Sequence, residues 1–220
     1  MTGLLRLDLH LHTRGSWDCL SDPEEVLERA ARGGIGRIAI TDHNRIQVAL
    51  EMAERYPERV IAGEEVKTAE GVDVIGLYLR REIPKGTPAD ETCRLIREQG
   101  GIVYLPHPYA PGKGGSGRLA ERLASQLDVV ETFNGRLHDP ARDLRAVGLA
   151  ERHALLRGAG SDAHTLAEIG RTWVEVPLHP NEPRALLEAL RGGTIRGEKA
   201  PRYVHLASTW AKVRKRLPGA

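Results

Sequence analysis

Cysteine is scarce in this chain. Cys19 and Cys93 stand far apart and in no CxxC spacing, which excludes a disulfide framework and fits a reducing cytoplasm. No charge of one sign prevails either: 32 lysines and arginines face 30 acids, a formal +2, so general polyanion binding has no basis in the composition. Long apolar runs are missing as well. Nothing approaches the roughly 18 consecutive apolar residues of a membrane span, and Arg6 and Asp8 interrupt the N-terminal stretch where a leader's apolar run would lie. A soluble, cytoplasmic protein is expected. Internal repeats and low-complexity tracts are absent.

What is present is a core-forming chain with a regular alternation of elements. Its 220 residues, 40% of them hydrophobic, suffice for one sizeable core, read as a single barrel domain over 1–220 with a basic segment at about 201–220. Leu5, Leu7, Leu9 and Leu11 alternate with Arg6, Asp8, His10 and His12, the period of a strand. Asp22-Pro23 then opens a helix that Gly33-Gly34 closes. Further strands are expected over 37–40, 60–63, 72–79, 102–105, 128–133, 155–159 and 172–176. Helices are expected over 47–55, 87–98, 118–126, 139–153 and 183–191, with a capping box at 165–168. Such alternation predicts an α/β fold with a mainly parallel sheet, and so many strands in so short a chain favour a small barrel.

Imidazoles and carboxylates gather where these strands give way to loops. They are Asp8-Leu9-His10-Leu11-His12, Asp18, Thr41-Asp42-His43-Asn44, Gly63-Glu64-Glu65, Pro106-His107-Pro108, Glu131 and Gly160-Ser161-Asp162-Ala163-His164. In a barrel the loops after the strands open on one mouth, so these groups would meet there. His10 and His12, two apart on one strand, point to the same side. Any single histidine after a strand is more often a loop or core residue; the joint pattern is what predicts a metal site. Nitrogen and oxygen donors suit zinc, manganese or iron rather than calcium, and Cys19, beside Asp18, is the one thiolate donor in range. Asp8, Asp42 and Glu64 read as groups that orient neighbouring imidazoles. His138, His153, His179 and His205 read as surface or packing residues.

The series DLHLHT, TDHN, GEE, HP and GSDAH, from Asp8 to about Arg171, resembles in order the motifs of the PHP (polymerase and histidinol phosphatase) metal-dependent phosphoesterases. The segment LASTWAK at 206–212 resembles the C-terminal segment of short, stand-alone bacterial members. The resemblance implies a distorted (β/α)7 barrel with two or three divalent ions (Zn, Mn or Fe) at its mouth. It places His10, His12 and Asp162 on one ion, with Glu65 bridging to a second that His107 completes. Asp18, His43 and His164 would hold a third. Glu131 stands where relatives often carry His, Cys or another ligand, and is counted among the metal ligands.

Two such ions would supply a nucleophile at neutral pH and clamp a phosphoryl oxygen. Asp162, His43, His164 and Arg171 are the expected catalytic groups, with His43 or His164 protonating the leaving oxygen. Arg14, Arg45, Lys113, Arg136 and Arg171 lie in or near mouth loops and are candidates to bind phosphate, although each alone also reads as a solvent-facing charge. The expected reaction is hydrolysis of a phosphomonoester or phosphodiester in a small phosphorylated metabolite or nucleotide, short nucleic-acid ends included. Trp17, Tyr109 and Phe133 are candidates to stack a base, with core packing as the plainer alternative. Two other functions fit the same residues: metal-dependent hydrolysis of a non-phosphate bond such as a cyclic amide, and a non-catalytic, metal-stabilised binding module. The basic tail reads as a solvated face, with 208–217 as a short helix packing Trp210 and Val213 on the body.

Overall fold

A computed structural model describes residues 3–110, 112 and 114–217 of the chain. Strand β1 (Leu4–Leu11) is followed by α1 (Pro23–Arg32), β2 (Arg37–Ile40), α2 (Gln47–Arg55), β3 (Val60–Lys67) and β4 (Asp73–Leu77). Then come α3 (Ala89–Glu98), β5 (Ile102–Leu105), α4 (Leu119–Leu123), β6 (Val129–Asn134), α5 (Pro140–Arg152) and β7 (Leu156–Gly160). The chain finishes with β8 (Thr172–Pro177), α6 (Pro183–Arg191), β9 (Thr194–Gly197) and α7 (Val204–Arg214). Local chemistry sets the helix starts. Asp22 accepts a hydrogen bond from the Glu24 N–H and Asp139 one from the Ala141 N–H, each followed by proline at the first helical position.

One sheet runs in the order β7-β6-β5-β4-β3-β2-β1-β8-β9. Its β1 and β7 regions curl together at one end. Leu11 pairs with Ala163 in a parallel bridge, the Asp162 N–H donates to the His10 carbonyl at 2.8 Å, and the His12 N–H donates to the Ala163 carbonyl at 3.0 Å. The first seven strands therefore form a nearly closed, distorted barrel with helices outside, the expected class. The distortion comes from β1 sharing one edge between two partners. Leu4–Leu7 pair antiparallel with β8, and only the far end of β1 reaches the segment after β7.

Three elements depart from the sequence reading. Strand β4 lies antiparallel to both β3 and β5, because the 68–72 turn that joins it to β3 is too short for a crossover. Pairing with β4 carries β3 on to Lys67, so Glu65 sits within the strand rather than just after it. Strand β9 was not anticipated; it is short and largely exposed, so it lacks the alternation that betrays a strand, and it exists by pairing with β8. Helix α7 forms, but in another orientation from the one expected. Val204, Ser208 and Ala211 face inward, whereas Trp210 and Val213 are 58% and 48% exposed. No helix among the described residues is long and apolar enough to cross a membrane.

Alternation along each strand splits the core. Ile61, Ile75, Tyr104 and Val129 join one buried cluster. Ile38, Ile40, Val60, Val103 and Val130 join another with Val26, Met52, Cys93 and Ile96 of the helices. Glu65 and Glu131 have the parity of Ile61 and Val129, so the barrel interior delivers their carboxylates upward to the mouth. Gly160 permits the closure between β1 and β7. A Cβ there would lie 2.3 Å from the His10 Cβ and 2.6 Å from the Glu131 Oε1. Gly160→Ala is accordingly expected to destabilise the fold by about 1–3 kcal/mol, read as a lowered urea midpoint; an unchanged midpoint would show that the closure is looser than these contacts indicate.

Candidate metal centre

Five imidazoles and three carboxylates converge at the barrel mouth. His10 and His12, on successive inward positions at the end of β1, bring their Nε2 atoms within 3.2 Å of each other. Glu65 Oε2 lies 3.5 Å from His10 Nε2, 3.4 Å from His12 Nε2 and 2.9 Å from His43 Nδ1. Its other oxygen meets His107 Nε2 at 3.1 Å. Asp162 Oδ1 stands 3.4 Å from His12 Nε2, and Asp18 Oδ2 stands 3.3 Å from His164 Nε2. Three overlapping groups have donor atoms close enough to share a cation: His10, His12 and Asp162; His10, Glu65 and His107; His12, His43 and His164. The expected ligands lie together, but the groups overlap: His10 and His12 are each shared by two of them, and Asp18 stands beside the third through His164.

The backbone is held in sparsely populated conformations where it delivers these ligands. Asn44, His107 and Asp162 all have positive φ, at 53°, 25° and 52°, and each follows a strand directly or nearly so. Left-handed conformations of this kind are unfavourable for residues other than glycine, and they cluster at functional sites. Here they turn the chain sharply enough for the side chains to face back over the barrel.

Behind the donors lies a set of orienting hydrogen bonds. Asp42 accepts from the Thr13 N–H at 2.7 Å and from the Ser16 hydroxyl at 3.0 Å, and Ser16 Oγ meets His12 Nδ1 at 3.1 Å. Glu131 does the same for His10, whose Nδ1–H donates to Oε1 at 3.0 Å. In its neutral form each imidazole thereby presents its Nε2 lone pair to the centre, although, against its burial, the carboxylates around His10 raise its pKa well above the ordinary histidine value. Asp8 accepts from the Ser161 N–H at 2.9 Å and ties β1 to the segment after β7. Glu64 faces elsewhere and accepts from the Ile83 N–H.

Glu131 therefore sits behind His10 rather than among the converging donors. Its two oxygens accept from His10, the Tyr104 hydroxyl, the His107 N–H and the Asn134 amide, which fills the roughly four acceptor positions of a carboxylate. Cys19 also drops away from the donor set: its thiol points at the carbonyls of His164 and His12, and burial pushes its pKa up to about 11.

The electrostatics fit a cation. Burial, then the charges of His164 and His43, push His12 down to about 4, so its lone pair is available at neutral pH. Burial opposes charge on Glu65 too, yet His43 and His10 hold it well below the usual carboxylate range. Against its own burial, His43 is held up to about 9 by Glu65 and Asp18. Glu65 Oε2 and Asp18 Oδ1 are buried oxygens without a well-formed hydrogen bond, the nearest group to Glu65 Oε2 being the His43 ring nitrogen at 2.9 Å, the state expected of carboxylates whose further partner is a metal ion.

Comparison with known proteins agrees. The family profile described as "PHP domain" matches residues 8–108, and the one described as "PHP-associated" matches 143–195. A relative from Methanocaldococcus jannaschii, the uncharacterized protein MJ1587, is 38% identical over 149 residues, covering 61% of this chain and 85% of its own length. The chain belongs to the PHP family. As a PHP member it is a metal-dependent hydrolase with a distorted barrel fold. Two solved structures share that fold. An amidohydrolase from Chromobacterium violaceum matches with TM-score 0.62 and 20% identity over 87% of this chain and 97% of its own. The lesion-specific endonuclease PfuEndoQ from Pyrococcus furiosus matches with TM-score 0.67 and 14% identity, over 88% of this chain and 58% of its own.

Beside the centre lies a cavity of about 390 Å³, lined in part by Trp17, His43, Lys67, Lys85, Arg136 and Lys212. The expected phosphate-binding residues are distributed unevenly around it. Arg136 lines it, but its Nε meets Glu168 at 2.8 Å and its Nη2 donates to Ser208 at 3.0 Å. Arg45 lines an adjoining groove with Trp17, Lys85 and Lys215. Arg14 pairs with Asp22, and Arg171 pairs with Glu198 at 3.2 Å; neither side chain lines the cavity. Lys113 lies outside the described residues. Of the three aromatics, only Trp17 reaches the cavity, since Phe133 lies against Lys199 and Tyr109 against Arg145. Lys67, Lys85, Ser208, Thr209 and Lys212 line it without having been assigned to the site from sequence, and His205, read there as a surface or packing residue, lines it too. None belongs to a metal-type motif, and α7 reaches the mouth only through tertiary packing.

Two measurements follow. Glu65→Ala and Asp162→Ala are expected to lose bound divalent metal and nearly all turnover, with elemental analysis of the purified proteins as the check; an unaltered metal content would remove both from the ligand set. Both cysteines are fully buried, and burial also raises the Cys93 pKa to about 12. Neither thiol is expected to react with a thiol reagent at pH 8 until the protein is unfolded, when two should titrate.

Proposed function

We propose that this chain hydrolyses a phosphomonoester or phosphodiester of a small phosphorylated metabolite or nucleotide, short nucleic-acid ends included. The observation that carries the reading is the placement of Lys67, Lys85, Arg136 and Lys212 around the cavity that adjoins the converging donors. A neutral substrate such as a cyclic amide has no use for such a wall; a phosphate does. The shared fold of an amidohydrolase and an endonuclease leaves this choice to the site itself.

In this reading His10, His12 and Asp162 hold one divalent ion, Glu65 and His107 extend the centre to a second, and Asp18, His43 and His164 hold a third, with zinc, manganese or iron as the candidates. When bound, such ions make water nucleophilic at neutral pH and polarise a phosphoryl oxygen. The chain's own groups do the remaining work. Glu131 and Ser16 fix the rings of His10 and His12, and complete burial of those rings keeps bulk water from competing for them. His43 is the most exposed of the five imidazoles, with 17% of its side chain accessible. When that ring is not holding the third ion, it is the one able to protonate a leaving oxygen. Trp17, 49% exposed at the cavity, offers a face for the organic part of the substrate.

The test is a substrate screen with the protein loaded with Mn²⁺ and, separately, with Zn²⁺. Phosphate release is expected from at least one class of ester, and no opening of lactones or cyclic amides. Hydrolysis of a lactone or amide, with every phosphoester left intact, would replace this reading with the amidohydrolase one.

A further inference from the structure

Helix α7 lies beyond both family matches, which end at residues 108 and 195, yet it forms part of the wall of the cavity beside the metal centre. Its inner face is anchored at both ends. Arg136 Nη2 donates to the Ser208 hydroxyl, and Lys215 Nζ donates to the Arg14 carbonyl at 2.5 Å and also to that of Ser16. That anchoring sets Lys212 at the cavity, over the ring of Trp17 with Nζ 4.5 Å from the ring centroid.

Most polar groups around the cavity are already engaged. Lys67 pairs with Asp73 at 2.6 Å and Arg136 with Glu168 at 2.8 Å. The hydroxyls of Ser208 and Thr209 donate to the His205 carbonyl of their own helix. Lys212 differs. Its nearest carboxylate oxygen is Asp18 Oδ2 at 3.8 Å, beyond hydrogen-bond reach. The Trp17 face holds the ammonium electrostatically without accepting its three N–H donors in the ordinary way. Side-chain exposure of 38% leaves it partly screened and still directed at the cavity.

This placement has an electrostatic consequence. In the phosphoesterase reading, on which this inference rests, Asp18 is committed to a divalent ion. A carboxylate whose charge is already taken up by a divalent ion attracts a neighbouring ammonium only weakly, which leaves Lys212 available to a further anion at the cavity. From this geometry we infer that Lys212 is a substrate-binding residue, gripping an oxygen of the substrate's phosphate beside the metal ligand Asp18. Trp17 acts as its rest, keeping the aliphatic stem packed and the ammonium in place when no anion is bound.

The probe is inorganic phosphate, titrated by calorimetry into the full-length, Mn²⁺-loaded protein. Lys212→Met keeps the length and apolar stem, and it is expected to weaken phosphate binding about tenfold, the scale of one charge-assisted hydrogen bond. Lys212→Arg should stay within about threefold of wild type, with manganese content and Tm unchanged in both variants. A Lys212→Met dissociation constant within twofold of wild type would overturn the inference. So would a wild-type protein that binds no phosphate, or a Lys212→Arg variant as weak as Lys212→Met. The ester screen separates the two ideas. Lys212-dependent phosphate binding without turnover of any ester sinks the hydrolase reading alone, whereas ester turnover with unchanged KM in Lys212→Met sinks this one.

Discussion

Five imidazoles and three carboxylates crowd together at the barrel mouth, all but His43 buried, and everything else in this fold accommodates that fact. Buried titratable groups are costly unless their charges and lone pairs find partners. The pairings available within the chain are incomplete: His10 and His12 face each other nitrogen to nitrogen, and one oxygen each of Glu65 and Asp18 has no well-formed hydrogen bond. A centre of this composition is balanced by divalent cations. It is a poor design for stability and a good one for metal chemistry.

The scaffold bears that cost in identifiable places. Backbone with positive φ at Asn44, His107 and Asp162 turns the ligands inward. Gly160 lets β1 and β7 approach so closely that His10 and Asp162 share one wall. Asp42 through Ser16, and Glu131 directly, hold the rings of His12 and His10. Tyr104, fully buried inside the barrel, supports Glu131 from below through its hydroxyl. Ligand geometry is thus set by hydrophobic packing two layers away, which is how a rigid barrel imposes order on flexible side chains.

The C-terminal helix makes the site asymmetric. The barrel supplies the metal donors, while α7 supplies Lys212 and the anchored Ser208, joined to the barrel by Arg136, itself neutralised by Glu168. The same helix turns Leu206, Trp210 and Val213 outward, because Val204, Ser208 and Ala211 are the residues whose helical spacing lets them meet the barrel. Burial of the largest apolar side chains does not decide this helix's orientation; the smaller Val204 and Ala211 and the polar anchors do.

Much of this was legible in the sequence. Two-residue alternation gave β1 and the common direction of His10 and His12, and Asp-Pro starts gave α1 and α5. Polar clusters after apolar runs gave the ligands, since side-chain direction along a strand and the position of a strand's end are local properties. Other features were decided only by tertiary structure. The reversal of β4 and the pairing of β9 depend on which edges are available. Whether Glu131 faces the centre or backs His10 depends on four donors, three of them from two other segments of chain and one from the neighbouring Asn134. That Arg171 turns to Glu198 while Lys212 turns to the cavity depends on contacts between residues distant in sequence. Local sequence thus determined which side chains can bind a metal, and long-range packing, which no local period encodes, decided which of them meet and what stands beside them.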